Sequence, residues 1–173
     1  MKKILATLAA CALALATATA AEAAPRQTMT TTYVTGYSMQ DNDPAGSRAI
    51  AYSQLWGFKT RHQQAGGDGT YANPITLAVS PGRYAPGTRI YMPHVDRFFV
   101  VEDSCASCGA KSSWVDMYVG GTMSDPTSKV DACMAQLTGN YRMVVNPTRY
   151  HKVVKGPLYN SRTDTCAKVT VRG

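Results

Sequence analysis

Acidic side chains are scarce in this chain. Eleven Asp and Glu stand against eighteen Lys and Arg in 173 residues, a net charge of +7. Histidine is scarcer, at three, and there are only three Phe and two Trp. His62, His94 and His151 are too scattered to complete a zinc site with Cys105 and Cys108. No Gly-x-Ser-x-Gly elbow occurs, which argues against a serine hydrolase. The stretch Gly66-Gly67-Asp68-Gly69 is not followed by a Lys-Ser or Lys-Thr pair, and Tyr71-Ala72-Asn73-Pro74 cannot open a helix, so it is no phosphate loop. The basic residues are dispersed, with no helix or aromatic sheet motif to organise them, so nucleic acid is not an expected partner. Neither a metal nor a cofactor is expected.

Long apolar runs are also absent, except at the start. Met1-Lys2-Lys3 precedes an Ala- and Leu-rich run from Ile4 to Ala18, and Ala18-Thr19-Ala20 and Ala21-Glu22-Ala23 offer small-x-small cleavage sites. Residues 1–23 therefore read as a secretory signal peptide, too short to span a membrane. No second apolar run follows, so stable membrane insertion is not expected. Residues 24–173 are expected to form a single domain, a monomer, secreted to the periplasm or the extracellular space. Removing residues 1–23 takes away Lys2, Lys3 and Glu22 and leaves 16 basic and 10 acidic side chains. Such a charge attracts anionic polymers, cell-wall glycans among them.

Four cysteines remain after cleavage: Cys105, Cys108, Cys133 and Cys166. An oxidising compartment makes two disulfides the expectation, with the pairing open among three arrangements. Cys105-Ala106-Ser107-Cys108 has redox spacing, but it follows Asp103 in a Gly/Ser-rich loop instead of opening a helix, so a structural role is expected.

Strand signals dominate. Thr31 to Tyr37 is β-branched and aromatic, and strands are expected at Ile75–Val79, Thr88–Met92, Arg97–Asp103, Trp114–Val119, Tyr141–Val145 and Ala167–Val171. Ser80-Pro81-Gly82 and Ala85-Pro86-Gly87 mark turns. One helix is expected, capped at Ser124-Asp125, with Pro126 in its first turn, Val130, Cys133, Met134 and Leu137 on one face, and Gly139 ending it. Residues 57–74 form a long polar loop, which in a compact domain is usually functional or mobile. The fold class is mainly β, a small barrel with one short helix.

Two aspartates sit in strand-like apolar text, Asp103 after Phe98-Phe99-Val100-Val101-Glu102 and Asp116 between Val115 and Met117. Burying a carboxylate disfavours its charged form and raises its pKa, which suits a general acid near neutral pH. Val115 and Met117 should face the side opposite to Asp116. Asp41 and Asp43 lie in turn text after the first strand and are candidates for a second carboxylate. Tyr37, Trp56 and Tyr118 are candidates for a sugar platform, because ring faces suit the apolar faces of sugars; Trp114 is expected in the core.

Ala78-Val79-Ser80-Pro81, Pro86-Gly87-Thr88-Arg89-Ile90-Tyr91, Val101-Glu102-Asp103 and Val115-Asp116-Met117-Tyr118 occur in that order. The series resembles the three-aspartate domain of bacterial cell-wall enzymes, including the membrane-bound lytic transglycosylase A family. Expansins, barwin-like proteins, the rare lipoprotein A family and family-45 glycoside hydrolases share its architecture. Small secreted proteins of fungi and bacteria resemble the chain more widely, from Tyr33-Val34-Thr35-Gly36-Tyr37 to the last cysteine, including Gly69-Thr70-Tyr71 and Asn146-Pro147. The resemblance implies a six-stranded double-psi β-barrel acting on cell-wall polysaccharide, peptidoglycan or β-glucan. It implies Asp116 as catalytic acid and Asp103 as its support, with a base just after the first strand, where Asp41 and Asp43 stand. The chain departs from the pattern in two places: Ser80 replaces the first family aspartate, and Cys105 and Cys108 replace a Thr-Gly-Gly loop. An expansin- or barwin-like binding module without catalysis is the alternative expectation.

Overall fold

The computed structural model describes residues 25–170. The expected signal peptide, residues 1–23, lies outside the described residues. Nearly every strand predicted from β-branched and aromatic text is present: β1 (Thr28–Ser38), β2 (Ile75–Val79), β3 (Arg89–Met92), β4 (Arg97–Ser104), β5 (Trp114–Gly120) and β6 (Gly139–Val145). They pair in the order β1-β6-β3-β4-β2-β5, and β5 pairs back onto β1. The result is a closed six-stranded barrel. Closure leaves no free edge among the six, which protects a small β protein from edge-to-edge aggregation. Two contacts in the ring are parallel, β1 with β5 and β2 with β4; the other four are antiparallel.

Alternation fills the interior. Leu77 and Val79 from β2, Phe99 and Val101 from β4, Val115, Met117 and Val119 from β5, and Met143 and Val145 from β6 belong to one buried cluster. Period-two alternation therefore sends Ala78 and Asp116 to the outer face.

One helix, α1 (Thr127–Leu137), packs on the outside of β1. Its buried residues are Val130, Cys133 and Leu137. Gly36 makes the approach possible, since a Cβ there would meet Val119 Cγ1 at 2.8 Å and Met134 Cγ at 3.3 Å. The helix starts later than its sequence suggests. Pro126 is the N-cap and no side chain caps the helix. Asp125 Oδ2 instead accepts from Thr122 N at 2.6 Å and Ser161 Oγ at 2.7 Å, so the expected capping carboxylate is engaged elsewhere.

The expected strand at Ala167–Val171 is corrected. Residues 167–170 form no strand, and the C-terminal pairing is a small hairpin of β7 (Tyr159–Asn160) and β8 (Thr165–Cys166), with β7 joined to β5 at Gly120. The apolar alternation there serves packing instead: Ala167 N–H donates to Leu158 O at 2.7 Å and Thr170 N–H to His94 O at 2.7 Å. Two disulfides are present, Cys105–Cys108 and Cys133–Cys166. The second ties the C-terminal hairpin to α1. Among the described residues no helix is long and apolar enough to cross a membrane.

Candidate active site

Ala78 is the hinge of the site's geometry. Its register partner on β4 is Asp103, and its partner on β5 is Asp116. On the other side of β5, Asp116 is paired with Thr35 of β1. Four residues on four adjacent strands therefore share one rung on the outside of the barrel. The small side chain of Ala78 leaves a gap between the two carboxylates.

Asp103 reaches that face only through a bulge. Leu77 pairs with Val101, but the next residue, Ala78, pairs with Asp103, so Glu102 is an extra residue on β4. With Val101 pointing inward, strict alternation would return Asp103 to the barrel interior; the extra residue keeps both Glu102 and Asp103 outside.

Three members of the rung, Asp103, Ala78 and Asp116, lie on the floor of an open cleft of about 690 Å³. Tyr37, Ala78, Asp103 and Asp116 line it, with Asp41 to Pro44 and Ala49 to Ala51 from the segment after β1, Trp56, and Ser104 to Ser107 from the disulfide loop. Its size falls in the ordinary range of small-molecule clefts.

The two aspartates are held differently. Asp103 Oδ1 accepts from Ala51 N–H at 2.9 Å and from its neighbour Ser104 N–H at 2.8 Å, and Oδ2 accepts from the Tyr37 hydroxyl at 2.8 Å. Burial raises its pKa, against the lowering pull of those three bonds. Both oxygens are occupied by the fold, and Asp103 makes no hydrogen bond to Asp116.

Asp116 has one bonded oxygen. The Thr35 hydroxyl donates to Oδ1 at 2.7 Å, and Trp114 Nε1–H donates to the same hydroxyl at 2.8 Å. An indole nitrogen can only donate, so the hydroxyl's single proton is committed to Asp116. No described group donates to Oδ2. Burial pushes the Asp116 pKa up to about 6, against the Thr35 bond, with the charges of Asp41 and Asp103 adding to the rise. A protonated Asp116 thus carries its proton on Oδ2, the oxygen left open.

The other candidates distribute as follows. Asp41 is on the cleft wall, with Oδ1 held by Ser38 N and Ser38 Oγ, both at 2.7 Å. Asp43 lines the same wall, exposed, before a cis peptide bond to Pro44. Trp56 ends a single 3₁₀ turn (Gln54–Trp56) and is 65% exposed at the cleft. Leu55 and Phe58 beside it are also exposed, an apolar patch that sequence reading did not single out. Tyr37 is buried, its hydroxyl on Asp103 and its ring edge-on to Tyr118 at 5.4 Å. Tyr118 is not part of this cleft; it lines a second one. Trp114, expected in the core, packs against it while its indole serves the Thr35 relay. Ser80 lies in a separate hollow with Cys108, Gly109 and Lys111.

Glu102 is a structural support of the site that its sequence context did not single out. It is fully buried and its oxygens take hydrogen bonds from Arg61 N, His62 N, His62 Nδ1 and Thr76 Oγ1. His62 Nε2 faces Asn73 Oδ1 at 2.8 Å. The 57–74 loop is therefore pinned to β4 immediately beside Asp103, and it does not fill the Asp116 cleft. Its one signal was two adjacent acids at the end of an apolar strand.

These features define a disulfide-bonded, closed six-stranded barrel with a carboxylate-floored cleft on its outer face. A family model, the DDB_G0273701 N-terminal domain, matches residues 29–167, and the chain belongs to that family. It is similar to the uncharacterized protein DDB_G0273701/DDB_G0273221 of Dictyostelium discoideum, 32% identical over 147 residues that cover 80% of this chain. The chain spans about 60% of the length of that relative. No solved structure matches.

Proposed function

We propose that this is a secreted protein that cleaves glycosidic bonds in cell-wall glycan, with Asp116 as general acid. The observation that carries the reading is a carboxyl with a pKa near 6 whose unbonded oxygen opens onto a cleft. The double-psi resemblance supports it, because the barrel has six closed strands with two parallel contacts and the two matched aspartates share its rung.

In this mechanism Asp116 Oδ2 gives its proton to the glycosidic oxygen as the bond to the anomeric carbon breaks. The sugar passes through an oxocarbenium-like state. Two completions are open to the cleft. A water activated by Asp41 or Asp43 on the facing wall can attack the anomeric carbon, giving hydrolysis with inversion. Alternatively, the Asp116 carboxylate takes the proton of the sugar's own 6-hydroxyl, which closes an anhydro ring and returns Asp116 to its acid form. Asp103 does not touch the reacting atoms in either. Its bonds to Ala51 and Tyr37 hold the wall of the cleft, and its charge helps to keep Asp116 protonated. Trp56 offers an exposed ring on which a sugar can stack.

Digestion of purified peptidoglycan and of β-glucan by wild type and Asp116→Asn, read by mass spectrometry, tests the reading. Products that vanish in the variant are expected, and anhydro ends distinguish the lytic route from hydrolysis. If neither polymer is cut, yet the protein sediments with one of them, the enzyme reading fails and an expansin- or barwin-like binding module replaces it.

A further inference from the structure

The chain as a whole and the Asp116 cleft carry charge of opposite sign. After residue 23 the sequence holds 16 basic and 10 acidic side chains, and four of the ten, Asp41, Asp43, Asp103 and Asp116, line this one cleft. No Lys, Arg or His lines it. Arg48 belongs to the same segment as Asp41 and Asp43 but lines a separate cleft. None of the four carboxylates forms an ion pair among the described residues, whereas Asp68 and Asp96 each pair with a lysine.

The carboxylates on the wall are the ones free to meet a ligand. Asp103 has both oxygens engaged by the fold. Asp41 is exposed with only Oδ1 bonded, to Ser38, and Asp43 is exposed and meets no hydrogen-bond donor among the described residues. Asp41 is also close enough to Asp116 for its charge to act on that carboxyl. Like charges gathered in a cleft without counter-charge repel one another, and the cleft focuses their field into its opening. A cation entering relieves that repulsion; an anion adds to it. Trp56 is an independent sign of the ligand. Its indole is 65% exposed at the same cleft, and an indole face attracts a cation as well as the apolar face of a sugar.

We infer, on the glycosidase reading of this cleft, that the glycan it takes carries free amino groups: its units are 2-amino-2-deoxy sugars left unacylated, of the glucosamine kind. The substituent on C2 is attached to the atom next to the anomeric carbon. When Asp116 reaches the glycosidic oxygen, the amine therefore lies inside the same cleft. Its ammonium would meet Asp41 or Asp43, and two carboxylates on that wall leave one to activate a water. An N-acetyl group offers this wall no charge. A uronic acid would bring a fifth carboxylate to a cleft that has no counter-charge to receive it. The basic remainder of the chain can still hold the protein to an anionic wall while the cleft selects a cationic unit within it.

Isothermal titration of the Asp116→Asn protein, whose amide stands in for the protonated acid, reads binding apart from cleavage. The ligands are glucosamine trimer, N-acetylglucosamine trimer, cellotriose and trigalacturonate at pH 5.5, where the amines are protonated, with spermidine as a cation that is not a sugar. The glucosamine trimer is expected to bind about tenfold more tightly than either neutral trimer, and trigalacturonate not to bind. Asp41→Asn and Asp43→Asn, each added to that background, should weaken the glucosamine trimer about three- to tenfold and leave cellotriose unchanged. Asp43 makes no side-chain bond in the fold, so its variant removes charge without disturbing structure. Equal affinity for the three trimers would overturn the amine and leave the glycosidase reading standing. So would a preference that survives both asparagine substitutions. Spermidine bound as tightly as the trimer would reduce the cleft to a cation pocket and overturn the sugar. If no trimer binds, the amine and the glycosidase reading fall together. A preference for the glucosamine trimer in a protein that cuts no polymer would uphold the amine site and remove only the cleavage.

Discussion

Thr35 and Asp116 are register partners across a parallel pair of strands, and the Thr35 hydroxyl donates to Asp116 Oδ1 at 2.7 Å. The bond decides which oxygen of the carboxyl can carry a proton. Trp114 fixes the direction from behind by donating to the same hydroxyl. Thr35→Val should remove the one interaction that lowers the Asp116 pKa, and so raise it above its wild-type value near 6. Trp114→Phe should do the same more weakly, by freeing the hydroxyl to turn. Side-chain ¹³C NMR titration of Asp116 reads both, and the alkaline limb of any cleavage profile should move up in step. A fall in pKa in Thr35→Val would contradict the arrangement.

Asp116 itself should make stability depend on pH. Its folded pKa, about 6, lies above the ordinary value of 3.8. Folding therefore favours the proton, and the folded state is penalised as pH rises through 6. Below about pH 4 the wild type and Asp116→Asn should be equally stable, since both are neutral there. Above pH 7 the variant should be the more stable by about 1–3 kcal/mol, the equivalent of a pKa rise of one to two units. Urea unfolding at pH 3.5, 6 and 8 measures the difference. A gap that does not grow with pH would mean that Asp116 ionises as freely in the fold as in water.

The 57–74 loop should depend on one buried carboxylate. Glu102→Ala would strand the Arg61 and His62 N–H groups and empty the space they point into. A loss on the order of 3 kcal/mol is expected, with trypsin cutting after Lys59 and Arg61 far sooner than in wild type.

The same loop should loosen with rising pH. Burial works against charge on His62, but the bonds to Glu102 and Asn73 outweigh it and raise its pKa. The contribution to stability is therefore complete below the ordinary value of 6.5 and is lost as pH rises through the raised one. Hydrogen exchange of residues 58–64 should quicken over that window, and His62→Gln should flatten the dependence.

Trp56 should matter to binding and not to folding. Its exposure, 65%, leaves little apolar area to lose from the core. Trp56→Ala should leave the melting temperature within about 1 °C, while the KM for a soluble glycan fragment rises about tenfold, the magnitude typical of a lost aromatic stacking contact. A change in kcat with unchanged KM would place Trp56 outside the binding surface.

Local patterning made much of this molecule legible. Val115, Asp116 and Met117 alternate cleanly, so the outward direction of Asp116 follows from its neighbours. The period of Val130, Cys133 and Leu137 marks the buried face of α1, and turn chemistry separates the strands. Boundaries slipped where a tertiary partner outcompeted a local one. Asp125 reads as a cap, but Thr122 N and Ser161 Oγ hold its carboxylate, and Pro126 becomes the N-cap.

Sequence by itself determined a mainly β chain with one amphipathic helix, thiols suited to two disulfides, and a carboxylate facing out from mid-strand. These rest on periods of two and 3.6 residues, which need no knowledge of distant partners. Only the tertiary structure decided that Asp103 joins Asp116 on one face, because that depends on a bulge at Glu102 in the pairing of β2 with β4. It also decided that Cys105 pairs with Cys108, that Thr35 directs the proton of Asp116, and that Tyr118 opens into a different cleft from Tyr37. Each of these turns on strand register or loop placement across the barrel. A slip of one residue in register exchanges inside for outside, and nothing in the local text fixes it.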